Sequence, residues 1–319
     1  MKKKILLAAG GLLTAALLIL LLAPIRFYVK QTVHISAPIR IVSQQLYRPR
    51  NWTHWFPDLQ AADSTQVRLL DSSATSPQPV LQAGEVSYRF LKTNPAEVFV
   101  RQQEGSRQTY HALLALPDSF GMATHVTWAR SCTPLGWLLQ TLNPRADMRT
   151  GLARLKSFAE QPATAYGFPI RKQPVTDTLV ITSKTTTTRA DRVAALRRLY
   201  GELRGYAARY QLHPDTVRMA AFNDYGDGTV EIMAGIPVRR RGPQQEGISY
   251  LNMPPHGKML VGTYEGPYSG IPGLYEAMHQ FIIDRALQQV AVNYEKYLTD
   301  PVTHQDSLHM RIELYYPIF

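Results

Sequence analysis

The chain has 319 residues, 45% of them hydrophobic, enough to bury a sizeable core and to divide into two ordinary domains. Its 35 basic and 24 acidic residues leave a formal charge of +11, a balance that suits an anionic surface or simply solubility; the clear basic run Arg239 to Arg241 meets Gly242 and Pro243 at once and reads as a solvated loop. Cys132 is the sole cysteine, which excludes an intrachain disulfide, a thiolate metal cluster and a lipoprotein anchor near the N-terminus.

Lys2, Lys3 and Lys4 precede ILLAAGGLLTAALLILLLAPI, an uncharged run of 21 residues that ends before Arg26. As a helix rising about 1.5 Å per residue it reaches roughly 31 Å, enough for a hydrocarbon core. The run is longer than the apolar segment of a cleaved signal peptide, and the bulky Pro24, Ile25, Arg26, Phe27 and Tyr28 do not suit cleavage. Residues 1–27 are therefore expected to form a single-pass anchor in a bacterial inner membrane. Arg26, Lys30 and Arg40 weaken the charge asymmetry, but the order of lysines then apolar run points to a soluble part on the exported, periplasmic side.

Residues 28–160 open with FYVKQTVHIS, an alternating stretch that reads as a strand, and Ala37-Pro38 then starts a short helix with Ile41, Val42 and Leu46 on its apolar side. NWTHWFPDL follows, crowding Trp52, Trp55 and Phe56 before Pro57. Runs at VRLL, VSYRFL, EVFVRQ, TYHALLAL and ATHVTWAR, separated by turn residues, predict an antiparallel meander. The segment closes on a helix in which Met148, Leu152, Leu155 and Phe158 keep helical spacing. On VHISAPIRIV, NWTHWFPDL and GLARLKSFAE this order resembles the START-like polyketide-cyclase/dehydrase (SRPBCC) superfamily. The resemblance implies a helix-grip fold, an antiparallel sheet around the long last helix, with an elongated apolar pocket for a lipophilic ligand. Trp52 and Trp55 would then either line that pocket or pack the core.

Residues 161–174, QPATAYGFPIRKQP, hold three prolines and no periodicity and read as a linker. From 175 the composition shifts. LVITSKTTTT predicts a strand, ADRVAALRRLYGELRGYAARYQL a helix, and VRMAAFND with TVEIMAGIPV a hairpin across Tyr225-Gly226-Asp227-Gly228. The order then recurs: GKMLVGTYEG as a strand, a helix from about 270 to 288, and two strands ending in HMRIELYYPI, so the segment is a duplicated strand–helix–strand–strand unit. EGPYSGI at a strand-to-helix turn, KYLTDP and ELYYPI, in that order, make residues 175–319 resemble the gyrase-inhibitor-like (GyrI-like) family, the effector-binding domain of bacterial transcription activators. The fold class expected is α+β throughout: the anchor, the helix-grip domain, then the duplicated domain.

By that resemblance the two repeats pack around a cleft. Gly262, Gly266 and Gly270 would bring backbone close to a guest, and Tyr264 and Tyr268 would offer ring faces. Strand alternation sets Arg311, Glu313 and Tyr315 on one face of the last strand and Leu314 and Tyr316 on the other. Glu313 takes the role of cleft acid from its motif position, with Tyr315 beside it, unless it is neutralised by Arg311; Glu231 in the first repeat is the alternate acid. A carboxylate among tyrosines suits a cationic aromatic guest. Some members of the family hydrolyse small electrophilic molecules, so Glu313 with Tyr268 is also the candidate catalytic pair.

No P-loop, dinucleotide-binding, nucleophile-elbow or HExxH pattern occurs, and the nine histidines are scattered, His304 and His309 being the closest pair, so no cofactor and no metal is expected. No DNA-reading helix pair precedes the second domain, which argues against nucleic acid as a partner. The reading is a membrane-anchored protein that binds or senses small lipophilic molecules without chemistry. A hydrolase using Glu313 and a protein-interaction scaffold are the alternatives, and the sequence names no protein partner.

Overall fold

The computed structural model describes residues 26–61, 67–70, 78–134, 146–302 and 309–319. The expected anchor lies outside the described residues except for Arg26 and Phe27, and Phe27 already begins the first strand. Among the described residues no helix is long and apolar enough to cross a membrane. The chain forms two compact units, Met1–Gln161 and Pro162–Phe319, both α+β and each built on an antiparallel sheet.

In the first unit, β1 (Phe27–Ile35) is followed by α1 (Ile39–Tyr47), a 3-10 turn (Pro49–His54) and α2 (Pro57–Ala61). Strands β2 (Val67–Leu70), β3 (Val80–Ala83), β4 (Val86–Thr93), β5 (Glu97–Glu104), β6 (Arg107–Pro117) and β7 (Thr124–Cys132) then run as a meander. The meander closes by pairing β7 with β1, giving the order β1-β7-β6-β5-β4-β3-β2. Helix α3 (Ala146–Glu160) packs along β1 and against α1 and α2. Two polar ties fix it there: Ser36 N–H donates to Glu160 Oε1 at 2.6 Å, and Lys156 Nζ donates to the His34 carbonyl at 2.7 Å.

The second unit opens where the sequence suggests a linker. Residues 162–166 form α4 (Pro162–Tyr166), and β8 (Ile170–Pro174) pairs with a strand of the main sheet. The prolines mislead because they occupy tolerated places: Pro162 opens a helix, and Pro174 ends an edge strand. Then come β9 (Leu179–Thr188), α5 (Arg192–Arg209), β10 (Arg218–Asp224) and β11 (Thr229–Pro237). After β12 (Ser249–Asn252) the pattern repeats as β13 (Lys258–Gly266), a 3-10 turn (Tyr268–Gly270), α6 (Ile271–Asp284), β14 (Tyr294–Tyr297) and β15 (Met310–Ile318).

The eight strands order as β12-β9-β11-β10-β14-β15-β13-β8, so the two repeats meet at one seam, β10 against β14. The seam has three residue pairs: Arg218 with Tyr297, Met219 with Lys296, and Ala220 with Glu295. Both long helices pack on one face. Ile232, Ala234 and Ile236 turn to that side with Leu196, Leu199 and Leu203 of α5, while Leu260 and Leu314 meet Leu274 and Met278 of α6. Helix α6 stops at Asp284, short of the expected 288, because Ala286 takes a left-handed φ of 47° and Leu287 N–H reaches back to Ile282 O. Helix α5 ends the same way, with Gln211 at φ 51° and Leu212 N–H on Ala207 O, a second mark of duplication.

Candidate functional site

Strand β14 is only four residues long, but it has a neighbour on both sides, so its helix-facing side chains are sealed in. Alternation turns Glu295 and Tyr297 towards the helices. Glu295 is 1% exposed, and three phenols converge on it. Tyr268 Oη donates to Oε1 at 2.9 Å and lies 3.0 Å from Oε2. Tyr275 Oη donates to Oε1 at 3.0 Å and Tyr297 Oη to Oε2 at 2.5 Å. These donors come from the 3-10 turn, from the second turn of α6 and from β14 itself.

Burial pushes the Glu295 carboxyl above the ordinary carboxylate value, against the pull of its hydrogen bonds from Tyr297, Tyr268 and Tyr275 and of the Arg192 charge. The phenols move up in turn, through burial first and then through the negative charge they face. They are donors at any ordinary pH. Over the group sits Arg192 at the start of α5, its guanidinium carbon 4.2 Å from the Tyr268 ring centre and 5.1 Å from that of Phe222. Glu295, Tyr268, Tyr275, Arg192 and Phe222, with Tyr316 of β15, line a cleft of about 490 Å³ that has Glu276 and His279 on its rim, while Tyr297 lies behind it.

Of the residues expected from sequence, Tyr268 belongs to this cleft. Tyr264 lies beneath the turn, its hydroxyl donating to the Pro267 carbonyl at 2.6 Å. The glycines serve packing rather than a guest: a Cβ at Gly270 would stand 2.1 Å from Tyr264 Oη, and one at Gly266 would stand 2.6 Å from the same atom. A Cβ at Gly262 would meet Leu274 and Met278 of α6 at 2.7 Å.

Glu313 and Tyr315 are placed on the other face of the sheet, so the expected pair of Glu313 with Tyr268 does not form. Glu295 stands across from Leu314, and Glu313 stands across from Lys296. Glu313 accepts from Arg171 Nη2 at 2.5 Å and from Tyr315 Oη at 2.7 Å. Its partner is thus an arginine of β8, in the segment read as a linker, and not Arg311. Burial raises its carboxyl, but hydrogen bonds from Arg171 and Tyr315 and the charges of Arg171 and Lys296 outweigh this and hold it below the ordinary value. Glu231, the alternate acid, lies 3.7 Å from Lys184 and does not line the cleft.

Trp52 and Trp55 are core residues of the first unit, both fully buried. Their indole N–H groups donate to the carbonyls of Leu46 (2.7 Å) and Gln45 (3.1 Å), and their rings lie 5.1 Å apart. Phe56, Trp128 and His111 extend the cluster, with Trp128 Nε1 donating to His111 Nδ1 at 3.2 Å.

Sequence reading missed Glu295, Tyr275, Tyr297 and Arg192. The signal was an acid one residue before the quoted KYLTDP, flanked by tyrosines, in a strand that a duplicated sheet must place at its centre. Among the described residues no group of three His, Cys, Asp or Glu side chains could hold a metal ion, and His304 lies outside them.

No family model matches the chain, and no curated protein matches it. Among solved structures it is similar to the EcmrR C-terminal domain, at 14% identity and TM-score 0.41, covering 48% of this chain and 98% of that one. It is also similar to the Zhui aromatase/cyclase from Streptomyces sp. R1128, at 18% identity and TM-score 0.35, covering 45% of this chain and 99% of that one. A third is SAV2435 bound to tetraphenylphosphonium, at 17% identity and TM-score 0.35, covering 47% of this chain and 93% of that one. Each of the three spans less than half of this chain.

Proposed function

We propose that the second unit binds small lipophilic molecules bearing a positive charge, in the cleft over Glu295, and releases them unchanged. The observation that carries this reading is the carboxylate held by three phenols at the floor of an aromatic-walled cleft. A buried acid in reduced dielectric attracts a cation more strongly than an exposed one does. The Tyr268 and Phe222 rings add cation–π attraction of about 0.5–2 kcal/mol. Arg192 supports the reading too, since its guanidinium takes the place over Tyr268 that a cationic guest would take. Residues 1–27 would tether this binding unit to a membrane, with the folded part on the exported side.

The test uses the full-length chain and its Glu295→Gln variant. Each is titrated with tetraphenylphosphonium and with the neutral triphenylphosphine oxide, and mass spectrometry follows a mixed panel of strained esters. Saturable binding of the cation that weakens about tenfold in the variant, a loss of about 1.4 kcal/mol, supports the reading, provided the esters survive. Equal affinity in both proteins would defeat it. Glu295-dependent consumption of an ester would make the protein a hydrolase instead. Protease accessibility in spheroplasts, with and without residues 1–27, checks the tether and its orientation.

A further inference from the structure

The face of the second sheet turned away from α5 and α6 holds a larger cavity, of about 740 Å³. Alternation builds it: Met219 and Ala221 of β10, Met233 and Gly235 of β11, and Met259 of β13 all point to this side. Met253 joins them from the loop after β12. Tyr294 closes one wall, its hydroxyl 3.9 Å from Met253 Sδ and its ring stacked on Tyr315 at 5.0 Å.

Three features make this more than a gap in packing. Its volume falls within the range of roughly 300–1,000 Å³ usual for small-molecule pockets. Four thioethers in its wall give a surface that repacks around guests of varied shape. Its mouth is ringed by apolar side chains left in solvent: Leu251 (39% exposed), Val290 (45%), Val292 (61%) and Phe319 (78%). Such a cluster on a concave surface marks a contact site.

The charges at the cavity select its occupant. Lys258 and His256 are exposed on its lining, and no Asp or Glu side chain lines it. The other cleft is lined by the acids Glu295 and Glu276 together with Arg192 and His279, and the sheet stands between the two. We propose that the methionine cavity is a second ligand site, for an anionic amphiphile: an aliphatic chain inserted among the methionines, with a carboxylate held at Lys258. The proposal stands whether or not the Glu295 cleft binds cations.

The experiment titrates the full-length protein with the fluorescent long-chain carboxylate 11-(dansylamino)undecanoic acid and with its methyl ester. Four variants accompany it: Met233→Trp, which fills the cavity; Val292→Glu, at the exposed mouth, where folding is not at risk; Lys258→Glu; and Glu295→Gln. Expected are saturable binding of the acid, a loss of about tenfold in Met233→Trp and in Val292→Glu, and no change in Glu295→Gln. Lys258→Glu weakens the acid about fivefold and leaves the ester unchanged, in line with the modest strength of an exposed ion pair. Absence of saturable binding overturns the proposal, as does loss of binding in Glu295→Gln or indifference to both cavity variants. Equal effects of Lys258→Glu on acid and ester overturn the anionic class. If sedimentation shows that Val292→Glu dissociates a self-associated protein that does not bind the probe, the face is an interface between copies and the ligand proposal falls.

Discussion

Glu295 and Glu313 lie on adjacent strands of one sheet and face opposite ways. The register sets Glu295 across from Leu314, so Glu313, the next residue, projects from the other surface. One acid is ringed by phenols and sealed by helices; the other is matched to Arg171. Binding of a lipophilic cation should therefore fall about tenfold in Glu295→Gln and stay within about twofold in Glu313→Gln, as calorimetric titration of both variants would show.

The same two acids should give opposite pH signatures in stability. The Glu295 carboxyl is raised in the folded state, so its contribution is fully present below the ordinary carboxylate value of 4.5 and is lost as pH rises through the folded value. The Glu313 carboxyl is lowered, so its contribution is present above 4.5 and is lost as pH falls through the folded value. Urea unfolding across the acid-to-neutral range should show Glu295→Gln gaining on the wild type with rising pH. Glu313→Gln should lose ground over the same range.

Arg192 competes with the guest it resembles. Its guanidinium stands 4.2 Å over the Tyr268 ring, and an exposed cation–π contact is worth about 0.5–1 kcal/mol. Arg192→Met should thus tighten binding of a lipophilic cation by about two- to fivefold, and more at low salt, where the repulsion it removes is least screened. Unchanged affinity would mean that the arginine turns aside at no cost.

His111 should stay neutral far below the usual histidine range. Burial, with the Arg130 charge adding to it, pushes its ring down to about 3. The neutral ring accepts from Trp128 on Nδ1 and gives its Nε2 proton to Gln102 at 2.8 Å. A depressed histidine contributes stability present above its ordinary value of 6.5 and lost as pH falls towards the folded value, at most several kcal/mol. Tryptophan fluorescence reports this directly, because Trp52, Trp55 and Trp128 belong to the first unit and the sequence has no tryptophan after residue 161. An NMR titration of His111 with an ordinary midpoint would contradict the expectation.

Gly270 is held to glycine by Tyr264. A methyl group there would stand 2.1 Å from the Tyr264 hydroxyl, so Gly270→Ala should destabilise the second unit by about 1–3 kcal/mol. In a Tyr264→Ala background most of that penalty should vanish. A double-mutant cycle measured by thermal unfolding would show the coupling.

The alternation of β-branched and aromatic residues exposed most of the strands, and the repeat of strand, helix and hairpin exposed the second sheet. Register between repeats was not legible, because it depends on the three pairs where β10 meets β14, and these residues are too few to carry a pattern. That gap explains the misplaced site. The alternation on β15 was read correctly, with Glu313 and Tyr315 together, but which side faced the helices depended on Leu314 and Tyr316 meeting α6. Of the glycines and tyrosines at the turn before α6, Tyr268 faces the cleft, whereas Gly266, Gly270 and Tyr264 pack against each other. Prolines hid β8 because a sequence does not say which strand will lie at an edge.

The Glu295 carboxylate offers about four lone-pair positions, and three phenols already occupy three of them, with Tyr268 sharing its one proton between the two oxygens. A guest presenting an N–H finds at most one position left, beside the shared Tyr268 proton. What reaches it is the field of the charge, which is indifferent to whether the cation is an amine, a quaternary ammonium or a phosphonium. Selection then falls to the rings and the width of the cleft, and the same arrangement can receive chemically unrelated cations.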